Sequence, residues 1–225
     1  MLEKAVSVIL LTASLLKGSM DAAIPDKNID DTLFLVNRSQ LICESYVPEI
    51  RKTNLPGMSQ SMRYDAAEAL EILFEAAKQD GIRLSTVSGY RSYSKQNTIY
   101  ERKVASAGVE VADAYVALPG SSEHQLGLAM DVSKTNSSSL SSKFGTTAEG
   151  KWVAENAYKY GFIIRYPEGM EEITGYSYEP WHLRYIGIEY AKEVYESGLP
   201  LDLYASLHRM EVYSYLVRQA EEVTP

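Results

Sequence analysis

The clearest periodic pattern in the chain lies in residues 62–79, where apolar side chains recur three and four positions apart. This spacing places them on one face of a helix, and Gly81 follows where a glycine commonly ends one. Weaker patterns of the same period predict four further helices. They are expected after an N-cap at Ser94 and over residues 152–160, 189–197 and 201–220.

Short apolar runs between these helices predict β-strands, bounded by segments rich in glycine, proline and serine. The expected strands cover residues 33–36, 82–87, 128–132, 162–166 and 181–186. Turns or loops are expected at residues 88–92, 136–142 and 171–178. Because helices cluster early and late with the strands between them, the pattern predicts an α+β fold, with a small central antiparallel sheet flanked by helices.

The charge balance limits which partners the chain can bind. Its 225 residues contain 22 Lys and Arg against 30 Asp and Glu, a net charge of −8. Phosphate backbones require clustered positive charge, so we expect no nucleic-acid partner. Hydrophobic residues make up 45% of the chain, which is enough for a globular core, and the length of the chain favours one domain.

Residues able to bind a soft or borderline metal are few. A single cysteine, Cys43, excludes an intrachain disulfide, a cysteine-rich zinc site and an iron–sulfur cluster. The histidines are His124, His182 and His208. A zinc site in this chain must therefore combine some of these histidines with carboxylates.

The first residues carry an apolar run, 5–16, that is closed by Lys17. Such a run is too short to span a bilayer as a helix, which takes about 20 residues, but it matches the hydrophobic region of a signal peptide. Glu3 and the lack of a clear small-residue cleavage site keep a buried N-terminal helix as the alternative. We expect an extracytoplasmic protein, secreted or anchored by this segment.

His124 and Asp131 lie close together, in a turn and in the strand that follows it. Gly127 allows the chain to turn sharply between them. Alternation along the strand places Asp131 on the same side as the small Ala129, which leaves room for the carboxylate to approach the His124 ring. The alternative is a solvent-facing aspartate and a surface histidine.

Glu179 and His182 form a second cluster around Pro180. In a regular strand the two side chains would point to opposite faces, but a kink at the proline would bring both to one site. The alternative is an edge strand in which Glu179 pairs with Arg184. His208 is interpreted as a surface residue of the last helix.

A set of two histidines and an aspartate suits zinc, and three protein ligands leave a fourth position for water, as in catalytic sites. An unligated carboxylate nearby then serves as general base, and Glu179 is the candidate. Arg91, in the turn Ser88-Gly89-Tyr90-Arg91-Ser92, is well placed to contact a carboxylate or a developing oxyanion. Alone, that turn is equally compatible with an ordinary surface arginine.

Two motifs combine these residues: Ser122-x-His124-x-x-Gly127-x-Ala129-x-Asp131 and Glu179-x-Trp181-His182. Together they resemble the VanY-like zinc D-alanyl-D-alanine carboxypeptidases and dipeptidases of peptidoglycan metabolism, which include bifunctional vancomycin-resistance D,D-peptidases. The resemblance extends over residues 60–200. Further similar segments are 88–92, 117–120, 160–167, 172–175 and 178–182.

The resemblance implies a cleft on the sheet that holds one Zn²⁺ per chain, with His124, Asp131 and His182 as ligands. Glu179 would be the base that takes a proton from the attacking water and returns it to the leaving amine. The implied reaction is hydrolysis of the terminal D-Ala-D-Ala bond of peptidoglycan stem peptides or precursors, which releases D-alanine.

Arg91 matches the arginine of this family that contacts the scissile carbonyl and its oxyanion, so it is expected both to bind substrate and to assist catalysis. Gln96 and Ser122 match positions that hold the C-terminal part of the substrate. The expected partners are peptidoglycan stem peptides or precursors, and the sequence specifies no protein partner.

The sequence is also compatible with other activities. An L,D-carboxypeptidase acting on tetrapeptide stems, or a D,D-dipeptidase acting on free D-Ala-D-Ala, would use the same zinc residues and differ in the loops that cap the cleft. A non-catalytic wall-binding module would need a lost ligand or base, and a purely structural zinc would need a closed fourth position. The expected layout is a signal peptide or anchor at residues 1–23, a lead-in segment at 24–60 and the catalytic domain with C-terminal helices at 61–225.

Overall fold

Two antiparallel sheets organise the computed structural model, which describes residues 28–29 and 31–223. The strands are β1 (Ile50–Lys52), β2 (Ser61–Arg63), β3 (Leu84–Ser88), β4 (Ala129–Lys134), β5 (Phe162–Ile164) and β6 (His182–Tyr185). Strands β1 and β2 pair with each other, and the others form a sheet in the order β3-β4-β6-β5. Helices accompany this sheet in the described chain, so the predicted α+β fold is confirmed.

Helices precede, interrupt and follow the four-stranded sheet. They are α1 (Tyr64–Gln79), α2 (Tyr93–Ala107), α3 (Val109–Tyr115), α4 (Ala148–Asn156), α5 (Glu171–Thr174), α6 (Ile188–Ser197) and α7 (Leu201–Val223). The apolar face predicted for the first of them is buried, including Leu70 and Leu73, which have no exposed surface. Within the described residues, no helix has both the length and the apolar character needed to cross a membrane.

The chain divides into two compact units. One comprises residues 36–202 and contains both sheets. The other comprises the described residues among 1–35 and 203–225. The predicted signal peptide or anchor at residues 1–23 lies outside the described residues. Part of the predicted lead-in segment belongs to the unit of residues 36–202, where its strand β1 pairs with β2.

Two local predictions are wrong. Residues 33–36 form no strand, although all four are buried. An apolar run indicates burial and does not by itself establish pairing with another strand. The N-cap of α2 is Ser92 and not Ser94, because the Ser92 hydroxyl accepts a hydrogen bond from the Lys95 backbone N at 3.3 Å.

Other element boundaries differ from the prediction by a few residues. The predicted helix at 152–160 is the end of α4 followed by a 3-10 turn, Ala157–Tyr160. The helix begins earlier than predicted because Thr147 caps it, accepting a hydrogen bond from Gly150 N at 3.1 Å. Met62, the predicted start of α1, lies in β2, and the predicted loop at 171–178 opens with α5.

Candidate metal centre and active site

Three segments bring the predicted zinc ligands to one face of the sheet. His124 lies in a 3-10 turn, Glu123–Leu126, that ends at Gly127 with a φ of 71°, a conformation that favours glycine. Asp131 lies in β4, and His182 begins β6. Asp131 and His182 are direct cross-strand partners, so their side chains project from the same face.

The ligand atoms of His124, Asp131 and His182 all lie within 4.8 Å of one another. His124 Nε2 is 3.4 Å from Asp131 Oδ2, and His182 Nδ1 is 3.3 Å from Asp131 Oδ1. His124 Nε2 and Asp131 Oδ1 are buried with no hydrogen-bond partner among the described residues, which costs about 1–3 kcal/mol per group. Two imidazoles and a carboxylate are donors that zinc prefers, so this cluster fits Zn²⁺.

A backbone carbonyl fixes the orientation of the His124 ring. Gly89 O lies 2.7 Å from His124 Nδ1, and a carbonyl can only accept, so Nδ1 carries the proton. Nε2 therefore offers its lone pair to the cluster. Position 89 requires a glycine for a separate reason, since a Cβ there would lie 2.6 Å from the Ser61 carbonyl oxygen.

The charges around the cluster favour a cation. Burial and the positive charge of Arg91 lower the pKa of His124 to about 4, so its ring is neutral at pH 7. Burial would raise the pKa of Asp131, but the two histidines hold it below its usual range. Burial would likewise lower the pKa of His182, yet the Asp131 and Glu123 carboxylates raise it to about 9. The same carboxylates would stabilise a bound metal ion.

Glu179 reaches this site through a tight turn. Its carbonyl accepts a hydrogen bond from His182 N at 3.1 Å, and Pro180 occupies the second position of that turn, where proline is favoured. The Glu179 Oε2 atom lies 3.7 Å from His182 Nδ1, as expected from a kink at the proline. Burial raises the pKa of Glu179 to about 7, a value suited to a general base near neutral pH.

Arg91 lines the cleft beside the cluster. Its backbone N donates to the His124 carbonyl at 3.2 Å, which joins the Arg91 segment to the His124 turn. Its Nε is buried with no hydrogen-bond partner among the described residues. Burial lowers the pKa of Arg91, while Asp131 and Glu179 oppose this effect. The guanidinium thus has an unused donor in a site where a carbonyl or carboxylate oxygen would be bound.

Gln96 and Ser122 line a small cavity of about 60 Å³ that also contacts His124. Gln96 Nε2 donates to the Ala117 carbonyl at 2.6 Å, which leaves its buried Oε1 with no partner among the described residues. The cavity therefore offers polar groups and room for a small chemical group only.

A larger cleft of about 740 Å³ adjoins this cavity. Both spaces are lined by Arg91, Glu179 and His182, and the larger one also by Asp131 and Trp181. The candidate catalytic groups thus lie where a confined cavity meets a wide cleft, which suits a substrate held near its end. All seven site residues predicted from the sequence line one or both of these spaces.

The sequence analysis missed the group that faces the other side of His182. The completely buried Glu123 directs Oε2 towards His182 Nε2 at 3.4 Å. Its Oε1 accepts hydrogen bonds from Arg165 Nε at 2.6 Å and from Arg184 Nη1 at 2.7 Å. Burial would raise the pKa of Glu123, but the two arginines hold it well below its usual range. The available signal was an arginine inside each of two predicted strands, since a charge in a core needs a buried partner.

Two further interpretations can be compared with the structure. The alternative pairing of Glu179 with Arg184 is wrong, because the guanidinium of Arg184 binds Glu123. His208 lies in α7 and stacks on Tyr204, with ring centres 5.8 Å apart. It is not a member of the histidine–aspartate cluster found among the described residues.

Comparisons with known proteins identify the family of the chain. Residues 59–188 match the family VanY, described as D-alanyl-D-alanine carboxypeptidase. The chain is 46% identical over 188 residues to the putative carboxypeptidase YodJ of Bacillus subtilis (strain 168), which covers 79% of this chain and 68% of that protein.

Solved structures of carboxypeptidases share this fold. The structure of the LdcB LD-carboxypeptidase is 45% identical with a TM-score of 0.74, covering 79% of this chain and 87% of that one. A structure of the vancomycin-resistance D,D-pentapeptidase VanY in complex with Zn(II) is 38% identical with a TM-score of 0.68, covering 77% of this chain and 98% of that one. The chain therefore belongs to the VanY family of zinc D-alanyl-D-alanine carboxypeptidases.

Proposed function

We propose that this chain hydrolyses the D-Ala-D-Ala bond at the end of peptidoglycan stem peptides or precursors and releases D-alanine, with one Zn²⁺ held by His124, Asp131 and His182. The observation that carries the proposal is the convergence of these ligand atoms within 4.8 Å, with Glu179 Oε2 3.7 Å from His182 Nδ1. A complete ligand set beside a further carboxylate argues against a non-catalytic wall-binding module and against a purely structural zinc.

Among the residues of the chain itself, Glu179 and Arg91 take part directly in the reaction. Glu179 takes a proton from the attacking water and returns it to the amine nitrogen of the departing D-alanine. Arg91 donates hydrogen bonds to the scissile carbonyl oxygen as that oxygen gains negative charge. Zinc, when bound, supplies Lewis-acid polarisation of the carbonyl and the water.

The two spaces beside the cluster bind different parts of the substrate. Gln96 and Ser122 hold the C-terminal D-alanine in the small cavity, where the free Gln96 Oε1 can accept a hydrogen bond from the amide N–H of that residue. The rest of the stem peptide occupies the larger cleft of about 740 Å³. A cavity of about 60 Å³ at the end of the cleft supports removal of one small residue from a peptide end.

One comparison favours a second candidate activity, L,D-carboxypeptidase action on tetrapeptide stems. The solved LdcB structure, an LD-carboxypeptidase, is 45% identical to this chain, against 38% for the Zn(II)-bound VanY structure. Both activities release a C-terminal D-alanine, and they differ in the residue that precedes it. The large cleft is compatible with a long side chain at that preceding position.

The experiment that separates these activities is incubation of the zinc-loaded protein with a stem pentapeptide, a stem tetrapeptide and free D-Ala-D-Ala. Products are identified by mass. We expect the pentapeptide to lose one alanine. Release of D-alanine from the tetrapeptide alone would overturn the D,D assignment in favour of the L,D one, and release from none of the three would contradict both. The E179Q variant, loaded with zinc in the same way, controls for a contaminating peptidase.

We also propose an extracytoplasmic location, where the enzyme would meet wall peptides and lipid-linked precursors. The support is the apolar run at residues 5–16 followed by Lys17. Fractionation of cells producing the full chain tests this directly. Recovery of the protein in the cytoplasm alone would contradict the proposal.

A further inference from the structure

One buried carboxylate at the site takes no part in the proposed reaction. Glu123 immediately precedes His124 and has no exposed surface on its side chain. Its Oε1 accepts hydrogen bonds from Arg165 at 2.6 Å and from Arg184 at 2.7 Å. Arg165 also binds Asp202 at 2.6 Å. The contacts of Oε1 are explained by charge pairing, because buried arginines and a buried carboxylate stabilise one another.

The second oxygen of this carboxylate has a different neighbour. Glu123 Oε2 lies 3.4 Å from His182 Nε2, and both atoms are buried with no hydrogen-bond partner among the described residues. The other ring nitrogen of His182, Nδ1, lies 3.3 Å from Asp131 Oδ1 and 3.7 Å from Glu179 Oε2. The two nitrogens therefore face separate groups, Nε2 towards Glu123 and Nδ1 into the metal cluster.

His124 shows the same division with the nitrogens exchanged. Its Nδ1 donates to Gly89 O at 2.7 Å, and its Nε2 faces Asp131 Oδ2 at 3.4 Å. Each ring thus has an acceptor outside the cluster and one nitrogen directed into it. Acceptors in this position fix the tautomer and orientation of histidines that bind metals.

We infer that Glu123 is a positioning residue: its Oε2 accepts the Nε2 proton of His182 and thereby directs the Nδ1 lone pair towards Asp131 and the zinc position. The two arginines hold the carboxylate by engaging Oε1, which leaves Oε2 for the histidine. The inference rests on the proposed function, because it takes His182 as a zinc ligand.

The test compares zinc affinity in the full-length wild type, E123Q and E71Q by competition with a chelator. E71Q is a matched control, because Glu71 also accepts two arginine hydrogen bonds, from Arg51 at 2.8 Å, but lies outside the cluster. We expect E123Q to bind zinc about 10–100-fold more weakly and E71Q to bind as the wild type does. E123Q binding zinc as tightly as the wild type would overturn the inference.

A spectroscopic readout separates positioning from a general structural effect. In the zinc-loaded wild type, the His182 Nε2–H resonance should be shifted downfield and exchange slowly with water, because a buried carboxylate accepts it. In E123Q it should move upfield. An unchanged resonance would show that Glu123 does not accept this proton.

A second variant keeps the test decisive if E123Q fails to fold. E123D retains a negative charge between Arg165 and Arg184 but is one methylene shorter, so its carboxylate retreats from His182. We expect about tenfold weaker zinc binding, and wild-type affinity would again overturn the inference. Failure of the proposed function would instead appear in the wild type, as no zinc bound or no D-alanine released.

Discussion

Replacement of Glu179 by glutamine should abolish hydrolysis while leaving zinc bound. The side chain is 9% exposed, and glutamine has nearly the same volume, so the turn at Pro180 keeps its packing. Glu179 Oε2 is 3.7 Å from His182 Nδ1, beyond hydrogen-bond distance, so the change breaks no hydrogen bond there. A general base contributes about 10²–10⁴-fold to rate, or about 2.7–5.5 kcal/mol of barrier.

The assay measures D-alanine release from a stem pentapeptide at saturating substrate, together with zinc per chain, for the wild type, E179Q and E172Q. Glu172 is exposed on α5, so E172Q controls for the loss of one negative charge and should stay within about twofold of the wild type. We expect kcat of E179Q to fall at least about 10²-fold with unchanged zinc content. A zinc-loaded E179Q with kcat within tenfold of the wild type would refute the role of Glu179 as general base. Loss of zinc from E179Q would instead indicate that Glu179 is a metal ligand.

Three further substitutions separate metal binding, oxyanion binding and stability. H182A removes one of three ligands, so metal analysis after dialysis should find well below one zinc per chain, and full occupancy would contradict the ligand assignment. R91K keeps the charge but loses the planar fork of donors, so kcat for D-alanine release should fall about 10²-fold or more with zinc retained; a near-normal rate would remove Arg91 from the mechanism. Hydrogen bonds from Arg51 at 2.8 Å hold the pKa of Glu71 below its ordinary value. This pair therefore stabilises the fold at pH values above the pKa that the Glu71 carboxyl has in the unfolded chain. The stabilisation is lost as the pH falls through the lower pKa that the carboxyl has in the folded protein. Thermal unfolding should show E71Q less stable by about 0.5–1 kcal/mol at pH 7 and equal to the wild type in acid, whereas the same loss at both pH values would contradict this pH linkage.

The parts of the site that the sequence predicted are those encoded locally. His124 and Asp131 are seven positions apart, and one sharp turn plus strand alternation suffices to bring them to one side. Glu179 and His182 are three apart, and Pro180 imposes the turn that joins them. In both cases the chemistry follows from short-range geometry, which a residue pattern can express.

The remaining features depend on distant pairing, which no local pattern specifies. The cross-strand pairing of Asp131 with His182 unites the two motifs, and it follows from the strand order β3-β4-β6-β5. Glu123 lies between two motif residues in the sequence, but its role depends on Arg165 and Arg184, which are 42 and 61 positions away. The buried but irregular segment at 33–36 shows the same limit, since hydrophobicity reports burial and not the partner.

Titration of metal-free protein with zinc tests the central claim most directly. The chain is stripped with a chelator, zinc is added in fractions of an equivalent, and D-alanine release from a stem pentapeptide is followed at each step. The arrangement of His124, Asp131 and His182 predicts no activity without metal, a linear rise, and a sharp break at one zinc per chain. Full activity in the stripped protein, or a rise that continues well past one equivalent, would contradict a single catalytic zinc in this cluster.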